Sequence, residues 1–148
     1  MPAPRRKPIL IGGEFPVLRP VAAPSPYAAG ACNIGPAEVA RRRFFGHVAV
    51  VVGLVLLAAL IALHVTPLAR LLVALPAAGA ATGYIQARLR FCAAYGSRGV
   101  YNFDQPGKVT PVPDRAARAT DRARSMRIGL AAALIGLGVG IVAVLLPL

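Results

Sequence analysis

Acidic residues are scarce in this 148-residue sequence, which holds five Asp and Glu against 17 Lys and Arg and so has a formal net charge of +12. Tryptophan is absent, and only 15% of the residues are charged, against about a quarter in an ordinary soluble domain. So few acids leave little from which to build a hydrolytic site with paired carboxylates. The 57% hydrophobic content also requires an explanation other than a soluble core.

Long uncharged stretches account for the apolar excess. A run of about 18 or more apolar residues is typical of a membrane-spanning helix. We predict an all-α membrane protein with three transmembrane helices, at about residues 44–65, 68–87 and 127–147. The second stretch is less hydrophobic than the others and is interrupted by Pro76.

Helix-start signals agree with these spans and extend two of them. Pro36 with Glu38 places a proline and an acid in the first turn of helix one. Thr66 followed by Pro67 predicts the start of helix two. Asp114 predicts the N-cap of a third helix that is longer than one bilayer, so its first turns project from the membrane.

The chain therefore divides into four segments. Residues 1–35 are a Pro-rich arm, residues 36–90 a transmembrane hairpin, residues 91–113 a loop, and residues 114–148 a helix extension with the third transmembrane helix. Seven prolines within the first 26 residues predict an extended arm without regular structure.

The basic residues predict the orientation of the protein. With three spans, every Lys and Arg except Arg70 falls on the same side of the membrane. The positive-inside rule then places the N-terminus, the arm and the loop in the cytoplasm and the C-terminus outside, in a bacterial inner membrane. Seven arginines next to span ends are candidate topogenic and lipid-headgroup residues: Arg41, Arg42, Arg43, Arg88, Arg90, Arg124 and Arg127.

Small residues at four-residue spacing are typical of helix packing in lipid, because they let backbones approach closely. Gly79 and Gly83 lie on helix two, and Ala132, Gly136 and Gly140 on helix three. We predict that these stripes pack helix two on helix three or on a second copy of the chain. The alternative is that Ala- and Gly-rich spans produce such spacings by composition alone.

The two cysteines are the only candidates for nucleophilic or soft-ligand chemistry. Cys32 precedes the start of helix one and Cys92 follows helix two, which places both thiols in the cytoplasm, where a structural disulfide is not expected. The favoured interpretation is two inert small residues at a packed interface, and the alternative is a thiol redox or sulfur-handling pair. No C-x-x-C or paired-histidine spacing supports a metal, so we predict neither metal nor cofactor.

Arginines and aromatics alternate over residues 88–103, a composition also found in nucleic-acid-binding surfaces. Positive-inside bias and attraction to anionic headgroups predict the same composition, so no nucleic-acid partner is expected. The expected partners are the lipid bilayer and a protein.

Residues 43–103 resemble the rhodanese-associated inner-membrane domain family of bacteria. The resemblance consists of a span, a short turn with Val65-Thr66-Pro67, a Gly/Ala-rich second span, and Phe91-Cys92 followed by glycine. It implies a two-helix hairpin with an unassigned role at the inner membrane, linked to sulfur handling, with Cys92 as the transferable position. Helix three and the segment around Cys32 lie outside the family hairpin.

From the sequence we predict a small integral inner-membrane protein without enzymatic activity. Its expected role is that of an accessory or scaffold subunit that presents a basic, aromatic cytoplasmic face to a partner. The alternative function is thiol redox or sulfur handling by Cys32 and Cys92.

Overall fold

A computed structural model describes residues 26–105 and 107–147. Three helical segments are long and apolar enough to cross a membrane: Pro36–Ala62, Pro67–Leu89 and Arg115–Leu145. Their outward surfaces carry large exposed apolar side chains such as Leu54 and Val55. The predicted three-helix membrane protein is therefore confirmed.

Helix α1 spans Pro36–Ala62 and begins as predicted, with Pro36 at its start and Glu38 in its first turn. It ends three residues before the predicted boundary at residue 65. There the Val65 amide donates to the Leu60 carbonyl, and the His64 amide donates to the Ile61 carbonyl. His64 adopts a left-handed conformation with φ of 49°. These two bonds form the Schellman motif that commonly closes a helix.

The second span consists of a 3-10 helix, Pro67–Val73, that continues into helix α2, Ala74–Leu89. Thr66 holds the N-cap position, as predicted, but its side chain makes no capping hydrogen bond. Pro76 explains the change of helix type. Its ring would clash with the carbonyl of residue 72 in a regular α-helix, and it has no amide hydrogen to donate. The tighter 3-10 turns therefore end at Val73, and Pro76 lies in the first turn of the regular helix, where a proline is tolerated.

Helix α4, Arg115–Leu145, is the longest element. Asp114 caps it as predicted: its carboxylate accepts hydrogen bonds from the amides of Ala116, at 3.3 Å, and Ala117, at 2.8 Å. Its 31 residues extend roughly 46 Å at the standard rise of an α-helix, which exceeds the thickness of one bilayer.

Helix α2 lies between α1 and α4 and packs against both. At the α1 interface a Cβ on Gly83 would lie 3.0 Å from the Gly46 Cα, and one on Gly79 would lie 3.6 Å from the Ala49 Cβ. A Cβ on Gly53 would lie 3.5 Å from the Pro76 Cγ. Small residues thus let α1 and α2 approach closely along their length.

The interface of α2 with α4 uses a different face of α2. A Cβ on Gly136 would lie 2.6 Å from the Ala78 Cβ, and one on Gly140 would lie 2.9 Å from the Ala74 Cβ. Ala132 is buried on the same face of α4. Gly136 and Gly140 thus face α2, whereas Gly79 and Gly83 face α1 and not the stripe on α4. Because α2 lies between two helices, it needs small residues on both faces.

At one end of the bundle the chain forms a folded polar cap, residues 26–35, 91–105 and 107–125. It holds helix α3, Ala93–Arg98, and strands β1, Val100–Tyr101, and β2, Thr110–Pro111, which pair antiparallel. Phe91, Ile34 and Val112 form its apolar centre. Residues 26–35 belong to this cap, so the boundary of the predicted arm at residue 35 differs from the structure. The rest of the arm, residues 1–25, lies outside the described residues.

Candidate functional site

Glu38 occupies the base of the cap, where its side chain is only 1% exposed. One carboxylate oxygen accepts a hydrogen bond from the Tyr95 hydroxyl at 3.1 Å and pairs with Arg41 at 3.6 Å. The other accepts a hydrogen bond from Arg42 at 3.5 Å. Burial raises the pKa of the Tyr95 phenol. Glu38 therefore joins the first turns of α1 to α3.

Cys92 lies inside the cap and is fully buried. Its sulfur accepts a hydrogen bond from Arg42 Nη2 at 3.1 Å. The Asn33 amide bonds its backbone twice: Oδ1 accepts from the Cys92 amide at 2.6 Å, and Nδ2 donates to the Cys92 carbonyl at 3.1 Å. Cys92 is thus held by three polar contacts, two from Asn33 and one from Arg42.

Cys32 has a different environment. It is partly exposed, and its sulfur lies 4.0 Å from the Ile34 carbonyl oxygen. Both cysteines are free thiols. The next residue is Asn33, which bonds Cys92 through its side chain and also donates its backbone amide to the Arg90 carbonyl. The structure therefore places both candidate thiols in the cap. Cys32 is partly exposed, and Cys92 lies in the interior.

Asp121 fastens the start of the described chain to α4. It is fully buried and accepts hydrogen bonds from the Tyr27 hydroxyl at 2.9 Å and the Gly30 amide at 2.7 Å. Burial of the phenol, reinforced by its bond to Asp121, raises the pKa of Tyr27. Gly30 adopts a positive φ of 67°, and a Cβ there would lie 2.8 Å from the Thr120 methyl.

The aromatic rings near residues 88–103 pack mostly inward. Phe91 is fully buried, and the Tyr27 and Tyr101 rings stack with centroids 5.0 Å apart. Tyr95 is part-buried against Glu38 and Arg42. The exposed rings are instead Phe44 and Phe45 of α1 and Tyr84 of α2. The outer surface of the cap is therefore mainly basic and only slightly aromatic.

Four arginines line a cleft on the outer surface of the cap, between the end of α3 and the first turns of α4. We call it the arginine cleft; it has a volume of about 450 Å³ and contains Arg98, Arg115, Arg118 and Arg122. The Arg118 side chain lies over Gly99, whose Cβ would be 2.7 Å from the Arg118 Cδ. Within residues 26–105 and 107–147, no acidic side chain pairs with these four.

A second depression, the α1–α2 groove, runs along the junction of α1, α2 and the cap. Its volume is about 880 Å³, and its walls include Arg43, Arg88, Arg90, His47 and Cys32. The predicted topogenic arginines Arg43, Arg88 and Arg90 are thus brought together here. At its membrane side the Tyr84 hydroxyl and His47 Nδ1 lie 2.6 Å apart.

The other predicted topogenic arginines have different roles. Arg41 pairs with Glu38 and lies over the Phe45 ring at 5.7 Å, whereas Arg42 points into the cap. Arg124 is partly buried, and Arg127 is exposed where the uncharged part of α4 begins. Arg70, at the opposite end of the bundle, is buried and donates a hydrogen bond to the Leu146 carbonyl at 2.9 Å.

Sequence reasoning missed the inward role of Arg42 and the buried anchors Asn33 and Asp121. The i, i+4 spacing of Glu38 and Arg42 is a local signal for their pairing. Asn33 and Asp121 give no such signal, because Asn33 contacts Cys92 across 59 positions and Asp121 contacts Tyr27 across 94. Only the tertiary fold brings these partners together.

Among the described residues, no group of three or more His, Cys, Asp or Glu side chains is arranged to hold a metal ion. Comparisons with protein-family models, with curated proteins and with solved structures find no match to this chain. The fold and the cap together define a small helical membrane protein with a folded, basic polar cap at one end of its bundle.

Proposed function

We propose that this protein is a non-enzymatic accessory or scaffold subunit that docks an acidic protein surface through the arginine cleft. The observation that carries the proposal is a group of four arginines without an acidic partner in the described part of the chain. Clustered like charges repel one another and weaken the folded state, so an external anion would stabilise them. Such a surface favours rapid, charge-steered association.

The acidic side chains among the described residues make other contacts and do not reach the arginine cleft. Glu38 and Asp121 are buried and hydrogen-bonded. Asp114 caps α4, and Asp104 lies 4.0 Å from Lys108. Internal neutralisation of the arginine cleft is therefore absent within residues 26–105 and 107–147.

The height of the cleft favours a partner in the aqueous phase over lipid. Arg127 marks the start of the uncharged part of α4. At the standard rise, Arg118 lies roughly 14 Å and Arg115 roughly 18 Å further along the helix. The headgroup layer is only about 5–8 Å thick on each side. The upper arginines thus extend beyond the layer that lipid phosphates occupy.

The inward packing of the aromatic rings favours a protein over a single-stranded nucleic acid. Stacking of bases needs exposed rings, and Phe91, Tyr27 and Tyr101 are buried or stacked on one another. The small-residue faces argue against a second copy of this chain as the partner, because Gly83, Gly136 and Gly140 already contact neighbouring helices within one chain.

Photo-crosslinking in intact cells tests this proposal. A photoreactive amino acid at Ala119, in the wall of the arginine cleft, should give a discrete protein adduct. The adduct should diminish when Arg118→Gln and Arg122→Gln are combined with it. A probe at Leu134, on the exposed apolar face of α4, is the control and should give lipid adducts. A nuclease-sensitive adduct at Ala119, or none, would contradict the proposal.

We further propose that the protein lies in the bacterial inner membrane with the cap in the cytoplasm and the C-terminus outside. The support is that every described Lys and Arg except Arg70 lies at the cap end. Thr66→Cys should react with a membrane-impermeant maleimide in intact cells, and Cys32 should react only after permeabilisation. The reverse pattern would overturn this orientation.

A second candidate function is thiol redox or sulfur handling by Cys32 and Cys92, as the resemblance to the rhodanese-associated membrane family implies. The contact of Arg42 with the Cys92 sulfur favours it, because reactive cysteines lie in electropositive surroundings. Mild oxidation of the full-length protein followed by peptide mapping tests it. A reversible Cys32–Cys92 disulfide supports this function, and two cysteines that remain reduced exclude it.

A further inference from the structure

We propose that the α1–α2 groove is a specific binding site for the phosphate-bearing headgroup of an anionic phospholipid from the surrounding bilayer. Three arginines, Arg43, Arg88 and Arg90, line it, and arginine binds phosphate through parallel hydrogen bonds in a fixed fork. This inference is independent of the partner proposed for the arginine cleft, which lies elsewhere on the cap.

The groove lies at the level of the headgroups. Arg43 immediately precedes the uncharged part of α1, and Arg88 immediately follows the uncharged part of the second span. Towards the membrane the lining includes Ala87, Tyr84 and His47, and the exposed surface of α1 beyond them is apolar, as at Val51. A lipid placed here would have its phosphate among cations and the start of its acyl chains along apolar helix surface.

The electrostatics of the groove also favour an anion. No acidic residue lines it among the residues that the structure describes. Gly35 and Pro36, at the N-terminus of the 27-residue helix α1, form part of the wall, and Gly35 provides no side-chain cap. The positive end of a helix dipole therefore adds to the field of the arginines.

The backbone of Arg90 is the most specific observation. This residue closes α2 in a left-handed conformation with φ of 49°, where glycine is usual because a side chain is disfavoured. Its carbonyl accepts hydrogen bonds from the amides of Asn33, at 3.1 Å, and Ile34, at 3.3 Å. The chain thus keeps a strained arginine where a glycine would fit, and the side chain of that arginine lines the groove.

The N-terminal arm is a poor competitor for the groove. Pro26 lies in the groove wall. The part of the chain before it contains four basic residues and one acid, Glu14. Its net charge has the same sign as the groove, so the arginines would repel it. Anionic lipid has the complementary charge and is present at high local concentration.

Native mass spectrometry of the full-length protein in mild detergent, with phosphatidylglycerol or phosphatidylcholine added, tests the proposal. The wild type should retain phosphatidylglycerol in preference to phosphatidylcholine. Arg90→Gly should weaken this retention about tenfold while leaving thermal stability unchanged or higher, because glycine relieves the left-handed strain. Arg43→Gln with Arg88→Gln should also weaken it. Arg127→Gln, an exposed arginine at the same level outside the groove, is the matched control and should retain the lipid.

Cys32 provides a second readout within the groove. Phosphatidylglycerol in nanodiscs should slow its alkylation relative to phosphatidylcholine in the wild type but not in Arg90→Gly. Equal weakening of retention by Arg127→Gln and Arg90→Gly would overturn the proposal in favour of diffuse attraction. Displacement of phosphatidylglycerol by inorganic phosphate alone would also overturn it, because the site would then recognise a soluble anion.

Discussion

Arg42 in α1 donates a hydrogen bond to the sulfur of Cys92, 50 positions further along the chain and 3.1 Å away. The same guanidinium lies 3.5 Å from the buried Glu38 carboxylate and 5.9 Å from the centre of the Tyr95 ring. An arginine that the sequence places in a row of three topogenic cations is therefore an internal link between the membrane bundle and the cap.

The link predicts a large effect of Arg42→Met on stability. The change leaves the more exposed Arg41 as the one cation paired with the buried Glu38, so we expect a loss of about 2–3 kcal/mol in the free energy of unfolding. Unfolding in detergent measures this loss, and faster alkylation of Cys92 reports local opening of the cap. Arg127→Met, on the exposed surface of α4, should change stability by less than about 0.5 kcal/mol. Equal losses in both variants would contradict the role of Arg42.

The two glycines Gly136 and Gly138 provide a matched test of the α2–α4 interface. A Cβ on Gly136 would lie 2.6 Å from the Ala74 carbonyl oxygen, whereas one on Gly138 would meet nothing within 4 Å. Gly136→Ala should therefore destabilise the bundle by about 1–3 kcal/mol through overpacking. Gly138→Ala should be neutral or slightly stabilising. Thermal unfolding in detergent compares the two, and similar melting temperatures would contradict a tight contact at Gly136.

The Tyr27–Asp121 bond predicts a pH dependence at high pH. Because the pKa of Tyr27 is raised, the folded state keeps its phenolic proton above the ordinary tyrosine value of 10.0, where the unfolded state loses it. The contribution of the protonated Tyr27 phenol to the free energy of unfolding is thus complete below pH 10.0 and is lost as the pH rises beyond it. Tyr27→Phe should flatten this decline in part, with the remainder due to Tyr95, whose pKa is also raised. An unchanged slope of unfolding free energy against pH would refute the prediction.

Arg70 predicts a local effect at the other end of the bundle. Its Nη1 donates to the Leu146 carbonyl at the C-terminus of α4, where a cation also complements the helix dipole. Arg70→Met should cost about 1–3 kcal/mol and speed amide exchange in the last turn of α4. Arg70→Lys should restore part of the loss. Hydrogen exchange that is unaffected in this turn but faster in the cap would point to a different role.

Helix starts were the most predictable part of the fold, because their signals are local. Pro36, Glu38 and Asp114 mark the starts of α1 and α4, and the uncharged stretches mark the spans. Helix ends were less predictable. The left-handed residues that close α1 and α2 are His64 and Arg90, and neither is the glycine that would announce such a turn in a sequence.

The candidate surfaces were predictable in composition but not in arrangement. Sequence spacing showed that Gly79, Gly83, Gly136 and Gly140 are suited to helix contacts, but not that α2 would use different faces for α1 and α4. Likewise, the excess of arginine was evident, but its division between a headgroup-level groove and a more distant cleft was not. Both depend on contacts between residues far apart in the chain.

The sequence by itself determined the membrane class, the three spans and the charge asymmetry, because hydropathy and charge act through local composition and need no partner. Only the tertiary structure decided which side chains are internal links and which remain available to partners. Asn33, Glu38 and Asp121 are polar residues that the fold buries and satisfies through long-range hydrogen bonds, since a buried polar group without a partner is costly. Among the described acids, Glu38 and Asp121 are buried in this way, Asp114 caps a helix and Asp104 lies beside Lys108, so none pairs with the four arginines of the arginine cleft.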